Sequence, residues 1–393
     1  MSRAVAVPQS AAAEWSGARV PSRLGTGWES AALLLLTVVL LSFGIVSVYS
    51  ASSVLAQSQG QADYHYVMRQ VSGAAMGFAV LVVMAFVDYR RLRMLAWPML
   101  FVLIAVLVVM VLPGLGDVTR VRNGAGRWLN IGPVALQPSE FAKLALIIWT
   151  AMMAVKKQDK LSSLSRGLVP FLLVWGAVSG LIIMQPSMSA AMLVVLLSAL
   201  VVFAGGARIG HFLLLAFVAI PLLWSQVEGV AYRARRIAAF LDPSIDPEGL
   251  SYQITQALTA LGSGGVFGRG FGHGVQKFGY VPEPHNDFIF AMIGEEWGFA
   301  GALGIIVLFT GFALVGYRIA RQAPDLFGFL LAVGVTNLIA VQALLHIAVN
   351  MALLPTTGVT LPFMSYGRSS LLVCLAGVGI LINIARRAEE TTA

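Results

Sequence analysis

One carboxylate occupies an unusual position. In Glu283-Pro-His-Asn-Asp287 the last residue immediately precedes a long apolar run, so Asp287 falls at or just inside the outer boundary of a membrane helix. An ionised side chain at the centre of a bilayer costs about 2.5–3.5 kcal/mol on insertion scales, less near an interface, and such residues face a cavity or a partner. A carboxylate so placed can accept a proton as a general base. The alternative is a helix N-cap, which Asp favours and the helix dipole stabilises. Deeper in the same run Glu295 and Glu296 are adjacent and point to different faces. Together with Lys143, isolated in another apolar run, they read as a structural buried ion pair, one glutamate facing the lysine.

Cations supply the complementary chemistry. Arg120, Arg122 and Arg127 share one polar loop, and Arg233, Arg235, Arg236, Arg269 and Lys277 share another. An anionic group beside them would account for both sets, because guanidinium makes bidentate contacts to phosphate. Solvated loop residues are the other reading. Trp128 lies in a segment, Asn123 to Glu140, that mixes basic, aromatic and turn residues; it suits either the headgroup layer or an aromatic belt anchor. Gly262-Ser-Gly-Gly265 and Gly268-Arg-Gly-Phe-Gly-His-Gly274 resemble a phosphate loop only loosely, since no strand precedes them and no G-K-[ST] follows. The single cysteine, Cys374, excludes an intrachain disulfide and a cysteine-based metal site.

The elements that must position these residues are membrane helices. Hydrophobic residues make up 58% of the 393 and charged residues only 11%, which excludes an ordinary water-soluble domain, where about 25% are charged. Apolar runs fall near 31–51, 70–87, 94–112, 139–155, 168–184, 189–205, 210–227, 287–317, 326–350 and 369–385. Each is long enough, at about 18 residues or more, to cross a hydrocarbon core. The uncharged stretch from Gly167 to Ala207 divides at Gln185-Pro186-Ser187, because proline breaks helices. The expected fold is an all-α polytopic membrane protein of about ten helices, with a large outer loop over 228–286 and tails at 1–28 and 389–393. Ser-Ala-Ser-Ser at 50–53 imitates a signal-peptide cleavage site, but its apolar run is too long for one.

With the N-terminus inside, alternate loops place 15 Lys and Arg in the cytoplasm and 10 outside, Lys143 remaining within a span. That orientation obeys the positive-inside rule and explains the net charge of +8 without nucleic acid. The outer arginines are the residues that violate it. The outer loop from Glu228 to Asn286 reads as a lid over the bundle, with an interfacial helix around Tyr252–Leu261 followed by irregular glycine-rich backbone. The segment from Asn350 to Arg368, holding Pro355 and Pro362, reads as re-entrant, since non-helical backbone at membrane depth must line a cavity or be buried in protein.

Three blocks, Asn123 to Leu144, Tyr252 to Phe299 and Leu354 to Leu372, resemble the signature blocks of the SEDS family (shape, elongation, division and sporulation). Val275-Gln-Lys277, Pro282-Glu-Pro-His-Asn-Asp-Phe-Ile-Phe290 and Leu354-Pro-Thr-Thr-Gly358 resemble its division branch most, with sporulation relatives close. The resemblance spans roughly residues 28 to 388. It implies a ten-helix bundle with an outward cavity, in the bacterial cytoplasmic membrane at the division septum. The implied activity joins lipid II units into glycan strands alongside a class B penicillin-binding protein and other division proteins. The family's acid maps onto Asp287 and its tryptophan onto Trp128. Basic residues expected at the lipid pyrophosphate correspond to Arg233, Arg236 and Lys277, and His285 and Ser365 fall in its substrate-binding blocks. Two departures stand out. Ser187 occupies the place of a carboxylate, and Arg368 that of a glycine.

The residue inventory fits that chemistry. A pyrophosphate leaves without a proton, so one base suffices, and the developing charge calls for arginine, lysine or a divalent cation such as Mg or Mn. No other cofactor is expected. A lipid-linked-sugar flippase gated by Lys143, Glu295 and Glu296 is the rival, and a non-catalytic division scaffold a third reading.

Overall fold

The computed structural model describes residues 27–112, 119–122, 125–131, 134–228, 231–242, 244 and 249–392. Among them, ten α-helices fall on the ten apolar runs: α1 (Trp28–Ser58), α2 (His65–Phe86), α3 (Arg90–Val111), α4 (Pro138–Lys156), α5 (Val169–Met184), α6 (Met188–Ala204), α7 (Ile209–Glu228), α10 (Ile289–Gln322), α11 (Leu326–Asn350) and α12 (Arg368–Thr392). Two more, α8 (Ala231–Leu241) and α9 (Leu250–Ser263), lie in the long loop. α9 occupies the stretch expected to form the interfacial helix. α1 runs unbroken through the Ser-Ala-Ser-Ser sequence to Ser58.

Among the described residues, eight helices are long and apolar enough to cross a membrane by length and composition. α12, α4 and α11 form the centre, with 94%, 78% and 72% of their apolar stretches buried, against 22% for α10. The peripheral helices instead turn apolar side chains outward, as a bilayer permits. The segment from Asn123 to Glu140, read as suited to the headgroup layer, joins the residues before it in a small antiparallel sheet, order β1 (Thr119–Arg122), β2 (Ala125–Ile131), β3 (Val134–Leu136), in which Trp128 pairs with Arg120.

Two breaks in regular structure position the site. The first is the non-helical stretch 351–367, which dips into the bundle. A Cβ on Gly44, halfway along α1, would stand 2.5 Å from the Met364 Cα, so only glycine admits so close a backbone. Buried here, the stretch must find internal partners for its polar backbone. His346 Nδ1 meets the Val359 carbonyl at 2.8 Å, Gln342 Nε2 donates to the Thr360 carbonyl at 3.0 Å, and Gln70 Nε2 donates to the Ser365 carbonyl at 3.1 Å.

The second break divides α10. Gly298 has φ 66° and ψ −164°, separating a short Ile289–Trp297 piece from a long Phe299–Gln322 piece. A helix end leaves carbonyls and amides without intrahelical partners, and here the glycine loop supplies them. Arg269 N and Gly270 N donate to the Glu295 and Glu296 carbonyls at 3.0 Å each, while Gly265 O and Val266 O accept from Phe299 N at 2.9 Å and Ala300 N at 3.0 Å. A Cβ on Gly268 would lie 2.1 Å from the Glu296 carbonyl oxygen. The glycines therefore serve close backbone approach.

Candidate functional site

At the start of α10 the residues 283–288 form a turn, and its backbone is held from three directions. Tyr366 N donates to the His285 carbonyl at 3.0 Å, Ser365 Oγ to the Asn286 carbonyl at 2.8 Å, and Asn350 Nδ2 to the Asp287 carbonyl at 3.1 Å. Asn350 Oδ1 also accepts from Ala291 N at 3.0 Å. Glu283 sits at φ 49°, a left-handed conformation that costs a non-glycine residue about 1–2 kcal/mol and tightens the turn. Asp287 is half-buried at its apex. The N-cap position of α10 is Phe288, with no side-chain cap bond.

Three residues expected to meet substrate are buried. His285 is fully enclosed, its ring 4.7 Å from that of Tyr66 and 5.3 Å from that of Tyr366, with Nε2 3.7 Å from a Glu283 carboxylate oxygen. It packs the underside of the turn. Ser365 is buried and its hydroxyl is engaged internally, accepting from Leu361 N at 2.8 Å while donating to Asn286. Lys277 is 6% exposed, and its ammonium meets Glu296 Oε1 at 3.0 Å, Ser50 Oγ at 3.0 Å and the Gly272 carbonyl at 2.7 Å. Each enclosure follows from loop backbone packing on helix, which sequence spacing does not reveal.

The expected ion pair is also rearranged. Lys143 binds Glu140, one turn earlier on α4, at 2.8 Å, and donates to Gln342 Oε1 of α11 at 2.9 Å. It does not pair with Glu295 or Glu296. Glu296 pairs with Lys277, and Glu295 Oε1 accepts from Val275 N at 2.8 Å. Two adjacent glutamates thus face the glycine loop, and a short-range i,i+3 partner satisfied the lysine instead.

Among the other cations, Arg236 on α8 donates to the Thr356 carbonyl at 3.1 Å, joining the lid to the dipping stretch. Arg127 on β2 donates to the Gln185 carbonyl at 3.0 Å and to that of Pro186, fixing the sheet to the α5–α6 turn. Trp128 beside it is half-buried. The side chains of Arg120, Arg122 and Arg233 lie outside the described residues. Arg368, first residue of α12, is half-buried without a hydrogen bond or ion pair among the described residues, and its Cγ would be 2.8 Å from a Cβ on Gly73 of α2. Sequence reading missed Gln70 and Asn350: Gln70 carries a visible signal as the lone amide of its apolar span, whereas Asn350 shares its span with Asn337 and Gln342 and is not singled out. Among the described residues there is no group of three or more His, Cys, Asp or Glu side chains placed to hold a metal ion.

A polytopic helical bundle with a dipping non-helical stretch and a carboxylate on a braced turn defines a class that comparison identifies. The model of the FtsW, RodA and SpoVE family, described as "Cell cycle protein", matches residues 31–390, and the chain belongs to this SEDS family. It is 44% identical, over 90% of its length and 92% of the relative's, to a protein of Trichlorobacter lovleyi named "Probable peptidoglycan glycosyltransferase FtsW". It is 40% identical to the "Stage V sporulation protein E" of Bacillus subtilis, over 90% and 96% of the two chains. A solved chain described under "Structural coordination of polymerization and crosslinking by a peptidoglycan synthase complex" superimposes with a TM-score of 0.76 at 27% identity, covering 91% of this chain and 97% of that one. The rod shape determining protein RodA of Thermus thermophilus gives 0.65 at 27% identity, covering 90% and 95%.

Proposed function

We propose that this protein is a peptidoglycan glycosyltransferase of the division type, polymerising lipid II at the outer face of the bacterial cytoplasmic membrane. The observation that carries the reading is the Asp287 turn. Three successive backbone carbonyls are committed to Tyr366, Ser365 and Asn350, which fixes the backbone carrying the half-buried carboxylate just before the start of α10. The relatives' names and the membership of the family support the activity, and the positive-inside count supports the outward face.

In this reading Asp287 accepts the proton of an acceptor sugar hydroxyl as its oxygen attacks the donor's anomeric carbon. The new glycosidic C–O bond forms as the bond to pyrophosphate breaks, and the electron pair leaves on undecaprenyl pyrophosphate. Attack opposite the leaving group converts an α-linked donor into a β-linked glycan. Arg233, Arg236 and Arg368 are the cations proposed to stabilise the departing charge, and Trp128 is proposed to meet the substrate in the headgroup layer. A class B penicillin-binding protein is the proposed partner.

The experiment uses the full chain purified in detergent with lipid II and a septal class B penicillin-binding protein. Glycan strands are expected from the parent and none from Asp287→Asn, which should fold and bind its partner normally. Strands formed without a bilayer cannot arise by flipping, whereas parent protein that makes none and moves substrate across vesicles would favour a transporter.

A further inference from the structure

We infer that Lys277 is a positioning residue that latches the glycine loop into the break of α10 and thereby orients the Asp287 turn, and that it does not ligate pyrophosphate. The inference rests on the polymerase reading above. An ammonium has three N–H donors and no more. Those of Lys277 are matched by three acceptors inside the protein: Glu296 Oε1, Ser50 Oγ and the Gly272 carbonyl, at 3.0, 3.0 and 2.7 Å. At 6% exposure none of these donors faces a ligand.

The partners join three elements. Ser50 belongs to α1 and donates to Glu296 Oε1 at 2.5 Å; Glu296 is the next-to-last residue of the short piece of α10; Lys277 belongs to the loop. The neighbouring Glu295 anchors the same loop by accepting from Val275 N at 2.8 Å and Gln276 N at 3.2 Å. Backbone bonds from Arg269 and Gly270 to the two glutamate carbonyls complete the attachment. The short piece, Ile289–Trp297, therefore has Asp287 just before its start and the latch at its end. With Gly298 breaking the helix below it, its direction is set by the latch at one end and the Asn350 contacts at the other. A buried charge whose partner is removed is strongly destabilising, whereas removing both charges can be nearly neutral, and this asymmetry separates the two roles of Lys277.

The test compares Lys277→Met with Lys277→Met/Glu296→Gln in the detergent assay with lipid II and the penicillin-binding partner. The single variant is expected to lower kcat about a hundredfold by stranding Glu296, with KM changed by less than about threefold. The double variant is expected to recover kcat to within about tenfold of the parent, because no buried charge remains. Amide exchange at Arg269 and Gly270 should rise in the single variant and fall back in the double, a readout that needs no substrate. A double variant no more active than the single, with KM raised about tenfold or more, would identify Lys277 as a substrate ligand and overturn the inference. Should Lys277→Met fail to fold, Ser50→Ala tests the same latch without leaving a charge: kcat falling several-fold at unchanged KM supports it, and raised KM overturns it. Asp287→Asn, run in parallel, judges the base assignment independently, since full activity there refutes the base while the exchange pattern still reports on the latch.

Discussion

Asn350, the last residue of α11, holds the entrance of α10 with both ends of its amide: Nδ2 donates to the Asp287 carbonyl at 3.1 Å and Oδ1 accepts from Ala291 N at 3.0 Å. A planar amide donates from one end and accepts at the other, and the only other amide side chain, glutamine, is longer. Asn350→Ala is expected to cost about 1–3 kcal/mol by leaving buried backbone groups unsatisfied and to lower turnover roughly tenfold, as misplacement of a reacting group does. Asn350→Asp should be worse, since it loses the donor and sets a carboxylate against a carbonyl. Thermal unfolding in detergent beside the polymerisation rate checks both; an Asn350→Asp protein as active as the parent would contradict the clasp.

Ser365 gives a milder version of the same prediction. Its hydroxyl joins Leu361 N to the Asn286 carbonyl, so Ser365→Ala should cost about 1–2 kcal/mol and reduce kcat a few-fold. The KM for lipid II should stay put. A large rise in KM with unchanged kcat would return Ser365 to the substrate-binding role first expected of it.

Buried Lys143 and half-buried Glu140 form a pair in the first turns of α4, with Gln342 linking them to Thr360 and Ser370. Lys143→Met alone should destabilise by about 3–5 kcal/mol, and Glu140→Gln/Lys143→Met should regain most of it. A double-mutant cycle on unfolding temperature measures the coupling; additive losses would show that the two charges act separately.

The opposite end of the bundle predicts a pH-independent contact. Asp325 caps α11 through Gly328 N at 2.8 Å and accepts from Tyr89 Oη at 2.6 Å and Arg90 Nε at 3.1 Å. Burial first, and then the Asp325 hydrogen bond, hold the Tyr89 phenol above its ordinary value. A raised folded-state value means that its contribution is complete below the unfolded value of about 10 and is lost only as pH rises through the folded one. The stability difference between the parent and Tyr89→Phe should therefore be flat from pH 6 to about 9, and a steady slope in that range would be inconsistent with the assignment.

Much of the architecture was legible because its signals are long and redundant. Ten apolar runs predicted ten helices, and Gln185-Pro186-Ser187 located the turn between α5 and α6. Asp287 was legible from its place beside an apolar run. The partners of charged residues were not, since a lysine and a glutamate in different spans carry no mark of who faces whom: Lys143 found Glu140 on its own helix, and Lys277 was drawn inward from a loop that looked solvated. The small sheet was missed although its sequence holds a hairpin signal, Asn123-Gly124, between alternating Thr119–Arg122 and the strand after it. The joint at Gly298 could not be foreseen either, because Trp-Gly-Phe at 297–299 interrupts no hydrophobic pattern.

That joint has a mechanical consequence. The 24 residues from Phe299 to Gln322 form a shaft of about 36 Å at 1.5 Å per residue, enough to cross the hydrocarbon without the nine-residue stub above it. In the polymerase reading, thickness strain and tilt therefore act on the shaft, while the stub that follows Asp287 lies toward the outer face. Turnover should accordingly change little as acyl chains in a reconstituted bilayer are lengthened or shortened by a few carbons, and steep dependence would mean that the two pieces move as a single rod.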